Sequence, residues 1–289
     1  MKAPKFSYVR AESVEHACRL LAEHGDDARI LAGGQSLMPT LNMRLSRPTL
    51  LIDINRLESL AGAIYDGREV RIGALTRHAD IMLSHLIAKF LPLMAQAIPH
   101  VAHVAVRNRG TFGGSVALAD PAAEMPACLL ALGGRIVLQS VRGRREVPAE
   151  EYFHGLYQTA REPDEILIEA LFSPQASDER CAFKELSRRH GDFAIAGVAV
   201  RARPSGGGLS QVRLVHFGSE VKPTLSQTAM SALEGKPWND AAATALDEAL
   251  AKDLDPMDNL LGKPATKLHW QRVLTRRAID EIMSKAKAV

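Results

Sequence analysis

The sequence predicts an α+β protein of two domains. Its 289 residues suggest about two units at roughly 150 residues each. Short strand-like runs alternate with helical stretches up to about residue 172, punctuated by two glycine-rich breaks. Composition then shifts at Ser173-Pro174-Gln175-Ala176-Ser177-Asp178, a linker-like stretch, and three strands and two helices follow it.

The elements can be justified in order. Ser13 is placed to cap a helix with Val14, Ala17, Cys18 and Leu21 on one face, and Gly25 stands just past its end. Arg29–Ala32 reads as a buried strand and Thr49–Asp53 as a second, with a helix-like stretch from Leu37 to Arg44 between them. Asp66-Gly67, between Ile64-Tyr65 and Val70–Ile72, is a hairpin signal. Thr76–Ser84 and Ala88–Ala97 read as helices. Asp120-Pro121 places an N-cap and a first-turn proline before a helix over Ala122–Leu132. Strands are expected at Arg135–Gln139 and Ile166–Phe172. Beyond the linker come strands at Phe183–Arg188, Ala194–Ala202 and Val212–Phe217, with Ser205-Gly206-Gly207-Gly208 as the turn between the last two. Helices at Asp240–Leu254 and Leu268–Lys285 close the chain, the second with Trp270, Leu274, Ala278 and Ile282 on one stripe.

Composition excludes several classes. With 46% hydrophobic and 24% charged residues, the chain is neither disordered nor collagen-like. A net charge of +3 argues for neither nucleic acid nor an acidic membrane as partner. Cys18, Cys128 and Cys181 are far apart and make no C-x-x-C pair. Buried free thiols are therefore expected, rather than disulfides or a thiolate metal site. The segment Met1–Phe6 lacks the apolar core of a signal peptide, and no uncharged apolar run approaches the ~20 residues of a membrane span, so a soluble cytoplasmic protein is expected.

The candidate chemistry lies in the glycine breaks. Ala32-Gly33-Gly34-Gln35-Ser36-Leu37 sits between a strand and a helix. Paired glycines let a ligand approach the backbone, free N–H groups at a helix start suit a phosphate, and Ser36 adds a hydroxyl. Taken alone the string also fits an ordinary tight turn. A similar loop recurs at Arg107-Asn108-Arg109-Gly110-Thr111-Phe112-Gly113-Gly114-Ser115. Two such loops could grip the two phosphates of a dinucleotide, with the carboxylates of Asp120 and Glu124 downstream for sugar hydroxyls. Neither the G-x-x-x-x-G-K-[ST] nor the G-x-G-x-x-G string is present. Gly113–Ala117 approaches the G-x-S-x-G serine elbow but ends in Ala, and the stretch from Gly34 to Met38 ends in Met. His100 and His103, without a third ligand, read as packing residues before they read as a metal site. No catalytic and no metal-binding residue is assigned.

These two loops and Ala119-Asp120-Pro121-Ala122-Ala123-Glu124 together resemble one family, the FAD-binding medium subunits of molybdenum hydroxylases. Its members include the carbon monoxide dehydrogenase medium subunit and the xanthine dehydrogenase FAD subunit. Ile72-Gly73-Ala74-Leu75-Thr76-Arg77-His78, Phe183-Lys184-Glu185 and Arg188–Ala194 extend the match, in order, over nearly the whole chain. Where many relatives carry Leu-Ala-His, this chain has Val116-Ala117-Leu118, so Leu118 supplies no polar contact. The resemblance implies an FAD-binding domain of the vanillyl-alcohol-oxidase (PCMH) type over 1–176, with subdomains of about 1–57 and 58–176. A C-terminal α+β domain over 177–289 would hold a three-stranded antiparallel sheet with helices.

The resemblance also implies roles. Leu31, Ala32, Gly33, Gly34, Gln35, Ser36 and Leu37, with Gly110, Thr111, Gly114 and Ser115, would hold the FAD pyrophosphate. Asp120 and Glu124 would serve hydroxyls of the FAD chain. Val101, Ala102 and Val106 would lie near the isoalloxazine, and Leu167 and Lys184 would face the adenine half. Phe193 would stack on the flavin or fill the domain interface. The molybdenum cofactor and [2Fe-2S] clusters would reside in a large molybdenum subunit and a small iron–sulfur subunit, assembled as a dimer of heterotrimers. The flavin would pass electrons from the iron–sulfur subunit to a terminal acceptor. The alternatives are a stand-alone FAD oxidoreductase and a scaffold that has lost FAD.

Overall fold

The computed structural model describes residues 2–287; Met1 and Val289, the outer bounds of the two expected domains, lie outside the described residues. The chain begins with β1 (Ser7–Arg10), α1 (Val14–His24), β2 (Ala28–Leu31), α2 (Leu37–Asn42) and β3 (Leu50–Asp53). The three strands form a parallel sheet in the order β1-β3-β2. Helix α1 forms where its cap predicts: the Ser13 hydroxyl accepts from His16 N, and Val14, Ala17, Cys18 and Leu21 are buried on the sheet.

A second, antiparallel sheet has the order β4-β5-β10-β6-β7. Its strands are β4 (Ala63–Tyr65), β5 (Val70–Gly73), β6 (Arg135–Ser140), β7 (Gly143–Pro148) and β10 (Ile166–Phe172). Helices α3 (His78–Leu83), α4 (His85–Phe90), α5 (Pro92–Ala97), α6 (Val104–Arg107), α7 (Phe112–Leu118) and α8 (Glu124–Ala131) fill the long connection between β5 and β6. The short α9 (Ala149–Tyr152) and the pair β8 (Phe153–Gly155) and β9 (Gln158–Thr159) follow β7. The two sheets share apolar contacts: α1 packs with Val137, Ile166 and Ile168, and the Cys18 thiol donates to the Gln139 carbonyl at 3.4 Å.

Strands β11 (Arg180–Leu186), β12 (Ala196–Ser205), β13 (Gly208–Phe217) and β14 (Thr224–Leu225) make the third sheet, covered by α10 (Gln227–Leu233), α11 (Asp240–Asp253) and α12 (Pro264–Lys287). Alternation along β11 divides its side chains. Cys181 and Phe183 join the core of the preceding unit, while Ala182 and Leu186 pack in the core under α12. All three cysteines are buried and free.

Four expectations need correction. The helix over Ala88–Ala97 is two helices, because the residue before a proline avoids the helical region; Leu91 has φ −132° and Pro92 opens α5. The helix after Asp120 starts at Glu124, not Ala122, with Ala123 in the cap position and no side-chain cap. Asp120 instead closes the preceding turn by accepting from Ala122 N at 2.9 Å. The C-terminal sheet has a fourth strand, the two-residue β14, too short for alternation to reveal. Strands β1, β7, β8 and β9 and helices α9 and α10 carry weak local signals; β7, for example, is an exposed charged edge strand.

Candidate functional site

The first glycine loop leaves β2 at the C-terminal end of the parallel sheet. Among the described residues, the backbone N–H groups of Gly33, Gly34, Gln35, Ser36 and Leu37 donate to no protein acceptor. Gly34 has φ +72°, a left-handed conformation that glycine adopts without strain. Successive free N–H groups in such a turn form an anion-binding concavity. The loop opens onto a cavity of about 520 Å³, lined also by Tyr8, Asp53, Asn55 and Arg109. Ser36 is exposed and makes no cap bond, so its hydroxyl is free for a ligand. Gln35 folds back, Nε2 donating to the Gly33 carbonyl at 3.0 Å.

The second loop lies against the first. A Cβ on Gly33 would collide with the Arg109 carbonyl and stand 2.9 Å from Gly110 Cα. Its N–H groups, however, are mostly committed within the protein. Phe112 N donates to the Thr76 carbonyl and Gly113 N to the Ala74 carbonyl, while Gly114 N donates to Thr111 Oγ1, the cap of α7. Gly113 is a packing glycine, since a Cβ there would meet Ala74 at 2.5 Å. Thr111 is buried, whereas Gly114 is exposed and Ser115 half-buried.

Two residues without an assigned role from sequence brace the loops. Asn55 Nδ2 donates to the Ala32 carbonyl at 2.7 Å and to Asp53 Oδ1 at 2.7 Å. Arg77 Nη2 donates to Asn55 Oδ1 at 2.7 Å, and its Nη1 donates to the Arg109 carbonyl. Burial and the neighbouring Arg109 charge lower the Arg77 pKa from its ordinary value. Burial raises the Asp53 pKa, but hydrogen bonds from Tyr8 and Asn55 outweigh it and hold the carboxyl below its usual range. The Asp-x-Asn string at a strand end is the signal that could have found this brace.

The remaining expected residues are distributed around this centre. Val101 is buried, and Ala102 has φ +42°, strained for a residue with a Cβ. The carbonyls of both accept from the buried Arg107 guanidinium at 2.8 and 2.6 Å. The half-buried Val106 accepts from Gly110 N at 2.7 Å, tying this segment to the second loop. The loop at Gly191 closes over it: a Cβ there would stand 2.8 Å from His103 Nδ1 and 2.9 Å from the Ala102 carbonyl. Phe193, in that loop, is 68% exposed and so does not fill a domain interface.

Asp120 receives the Tyr157 hydroxyl at 3.2 Å. Glu124 is buried at the start of α8, where desolvation and the nearby Asp120 charge push its carboxyl up to about 7. Leu167 lies in the core on β10. Lys184 is not brought to the loops: it forms an ion pair with Glu281 of α12. Its neighbour Glu185 instead turns toward His100, with Oε1 3.8 Å from His100 Nδ1.

Strand–loop–helix geometry, a row of free backbone N–H groups and a second glycine loop braced against them define a nucleotide-cofactor protein. Residues 4–175 match the family described as "FAD binding domain in molybdopterin dehydrogenase", and residues 181–282 match the "CO dehydrogenase flavoprotein C-terminal domain". The chain is 40% identical to the 6-hydroxypseudooxynicotine dehydrogenase complex subunit alpha of Paenarthrobacter nicotinovorans, over 99% of this chain and 97% of that one. It is 36% identical to the carbon monoxide dehydrogenase medium chain of Hydrogenophaga pseudoflava, over 97% and 98%. A solved structure of the carbon monoxide dehydrogenase of that organism superposes with a TM-score of 0.95 at 36% identity, over 98% of this chain and 99% of the other. The chain therefore belongs to the FAD-binding medium subunits of the molybdenum hydroxylases, and is a subunit of an oxidoreductase. Among the described residues no helix is long and apolar enough to cross a membrane.

Proposed function

We propose that this chain holds FAD with the pyrophosphate on the Gly33–Leu37 loop and carries electrons from an iron–sulfur subunit to a terminal acceptor. The observation that carries this reading is the row of five free backbone N–H groups on a loop whose Gly33, Gly34 and Gln35 line a cavity beside Arg109. They supply hydrogen bonds to a diphosphate without side-chain charge, and the exposed Arg109 adds a cation. Leu31 and Ala32 set the loop, Ser36 donates its hydroxyl, and Gly110 and Thr111 support it from behind. Gly114 and Ser115 offer the exposed face of the second loop. Glu124 serves a hydroxyl of the FAD chain and Asp120 a second. Val101, Ala102 and Val106 border the ring, Leu167 gives apolar support from the core, and Lys184 reaches the cofactor only by leaving Glu281.

Bound FAD supplies the change between two-electron and one-electron chemistry; the chain binds it, shields it and sets its surroundings. In this reading a large subunit holds the molybdenum cofactor and a small one the [2Fe-2S] clusters, in a dimer of heterotrimers in the cytoplasm. This chain's three cysteines are buried and free, and among the described residues no group of three or more His, Cys, Asp or Glu could hold a metal ion. The test is the flavin content of the chain, alone and co-purified with its complex, in wild type and Gly33→Asp. Stoichiometric FAD in the wild type and none in Gly33→Asp is expected, because the new side chain strikes Arg109–Gly110 and repels phosphate. Equal flavin in both would overturn the pyrophosphate assignment.

A further inference from the structure

Exposed cations interleave with exposed apolar side chains beside the candidate cofactor cavity. The surface is built from two chain segments that run side by side. Ser7 N donates to the Thr49 carbonyl at 2.7 Å, β1 pairs with β3, and Arg44 Nε donates to the Lys2 carbonyl at 3.4 Å. The first segment presents Phe6 and Tyr8, two residues apart on extended chain and therefore on one face. The second presents Met38, Met43 and Leu45, the last two 57% and 72% exposed. Their backbone is fixed: Met43 N donates to the Pro39 carbonyl and Leu45 N to the Thr40 carbonyl, each at 2.9 Å. Tyr8 and Met38 also line the cavity at the first glycine loop, so the apolar surface and the cavity share an edge.

The charge of this surface is one-sided. Lys2, Lys5, Arg44 and Arg47 are exposed, and among the described residues none of them forms a salt bridge. Residues 2–11 and 37–49 contain no Asp or Glu. Asp53, on the paired strand, is already engaged by the Tyr8 hydroxyl and by Asn55. Apolar side chains scattered singly over a surface need no explanation, but these lie on two adjoining segments. Aromatic residues, methionine and arginine are the side chains enriched where proteins meet.

We propose that this surface docks another protein subunit of the chain's complex, through an apolar face bordered by carboxylates. The inference rests on the reading of the chain as one subunit among several, and not on which residues hold FAD. A second copy of the chain does not fit, because a two-fold interface would set these cations against themselves. Nucleic acid does not fit, because a phosphate backbone would leave the methionines and Leu45 uncovered. An anionic membrane would meet the cations, but it would press the polar edge of the cavity, with Asp53 and Asn55, against lipid. A protein of opposite charge satisfies both halves of the surface. Its apolar face covers Phe6, Tyr8, Met38, Met43 and Leu45, and its carboxylates meet the four cations. The shared edge places that subunit beside the cofactor cavity.

The test is association of the separately purified full chain with the remaining subunits of its complex, followed by sedimentation and by binding kinetics. Met43→Asp with Leu45→Asp should weaken association on the order of 30-fold. Lys5→Glu with Arg47→Glu should slow association and remove most of its salt dependence between about 50 and 500 mM. All four side chains are exposed, so both double variants should melt with the wild-type chain; if one pair lowers the melting temperature, the other decides. Wild-type association in either pair overturns the docking surface and leaves the complex reading standing. Wild-type association together with lost binding to phosphatidylserine vesicles overturns it in favour of a membrane. A wild-type chain that joins no other subunit overturns both readings. An assembled complex without flavin defeats the FAD assignment alone, and the association data then still decide the surface.

Discussion

Arg77 Nη2 donates to Asn55 Oδ1 at 2.7 Å, and through this contact the two glycine loops share one support. Asn55 holds the Ala32 carbonyl at the base of the first loop, and the other arm of Arg77 holds the Arg109 carbonyl in the second. A planar guanidinium can serve both acceptors at once; an ammonium on a flexible stem cannot hold the same fork.

Arg77→Lys should therefore weaken FAD binding well beyond its effect on stability. Loss of one charge-assisted bond in a half-buried site costs about 2 kcal/mol. Chemical denaturation would measure that loss and flavin content the binding. Unchanged flavin affinity in Arg77→Lys would contradict the shared support.

The glycines should separate ligand contact from backbone strain. Gly34→Ala places a Cβ at φ +72° and 3.2 Å from Leu31 Cδ1, in the loop of free N–H groups. Gly207→Ala places one at φ +79° in an open turn of the C-terminal sheet. Both should lose roughly 1–2 kcal/mol of stability from the left-handed backbone. Only Gly34→Ala should lose FAD, as a pair of melting curves and cofactor assays would show.

Stability should fall on the alkaline side. Burial raises Glu124 to about 7 and Glu185 to about 8 from the ordinary carboxyl value of 4.5. The folded state then binds more protons than the unfolded one, so stability declines as pH rises from about 4.5 through these values. Each carboxyl contributes a slope of up to about 1.4 kcal/mol per pH unit. Glu185→Gln should flatten one of the two contributions in urea midpoints measured from pH 5 to 9. A wild-type slope in that variant would mean that Glu185 folds as an ionised group.

The acid side should respond to His78. Both its ring nitrogens are buried without partners, and burial followed by the Arg107 charge lowers it to about 4 from 6.5. Here the unfolded state binds the extra proton, so stability is lost as pH falls below about 6.5. His78→Leu keeps the site apolar and removes the titration. At pH 5 its destabilisation relative to wild type should be smaller than at pH 7, by up to about 2 kcal/mol. An equal difference at both pH values would show that His78 does not titrate there.

Much of the fold and the first loop of the candidate site were legible in the sequence because their signals are local. Ser13 caps α1 through a hydroxyl three residues from its donor, and Asp66-Gly67 turns a hairpin whose strands flank it. The first loop needs only a strand, two glycines and a helix start to leave its N–H groups free. The same local logic misplaced the start of α8, where Asp120 spends its carboxylate on a turn. The tertiary structure alone decided which loop keeps its N–H groups free, because Thr76 and Ala74 reach those of the second from another segment. It also decided that Lys184 pairs with Glu281 while Glu185 meets His100: a strand sends neighbouring side chains to opposite faces, and only packing determines what waits on each.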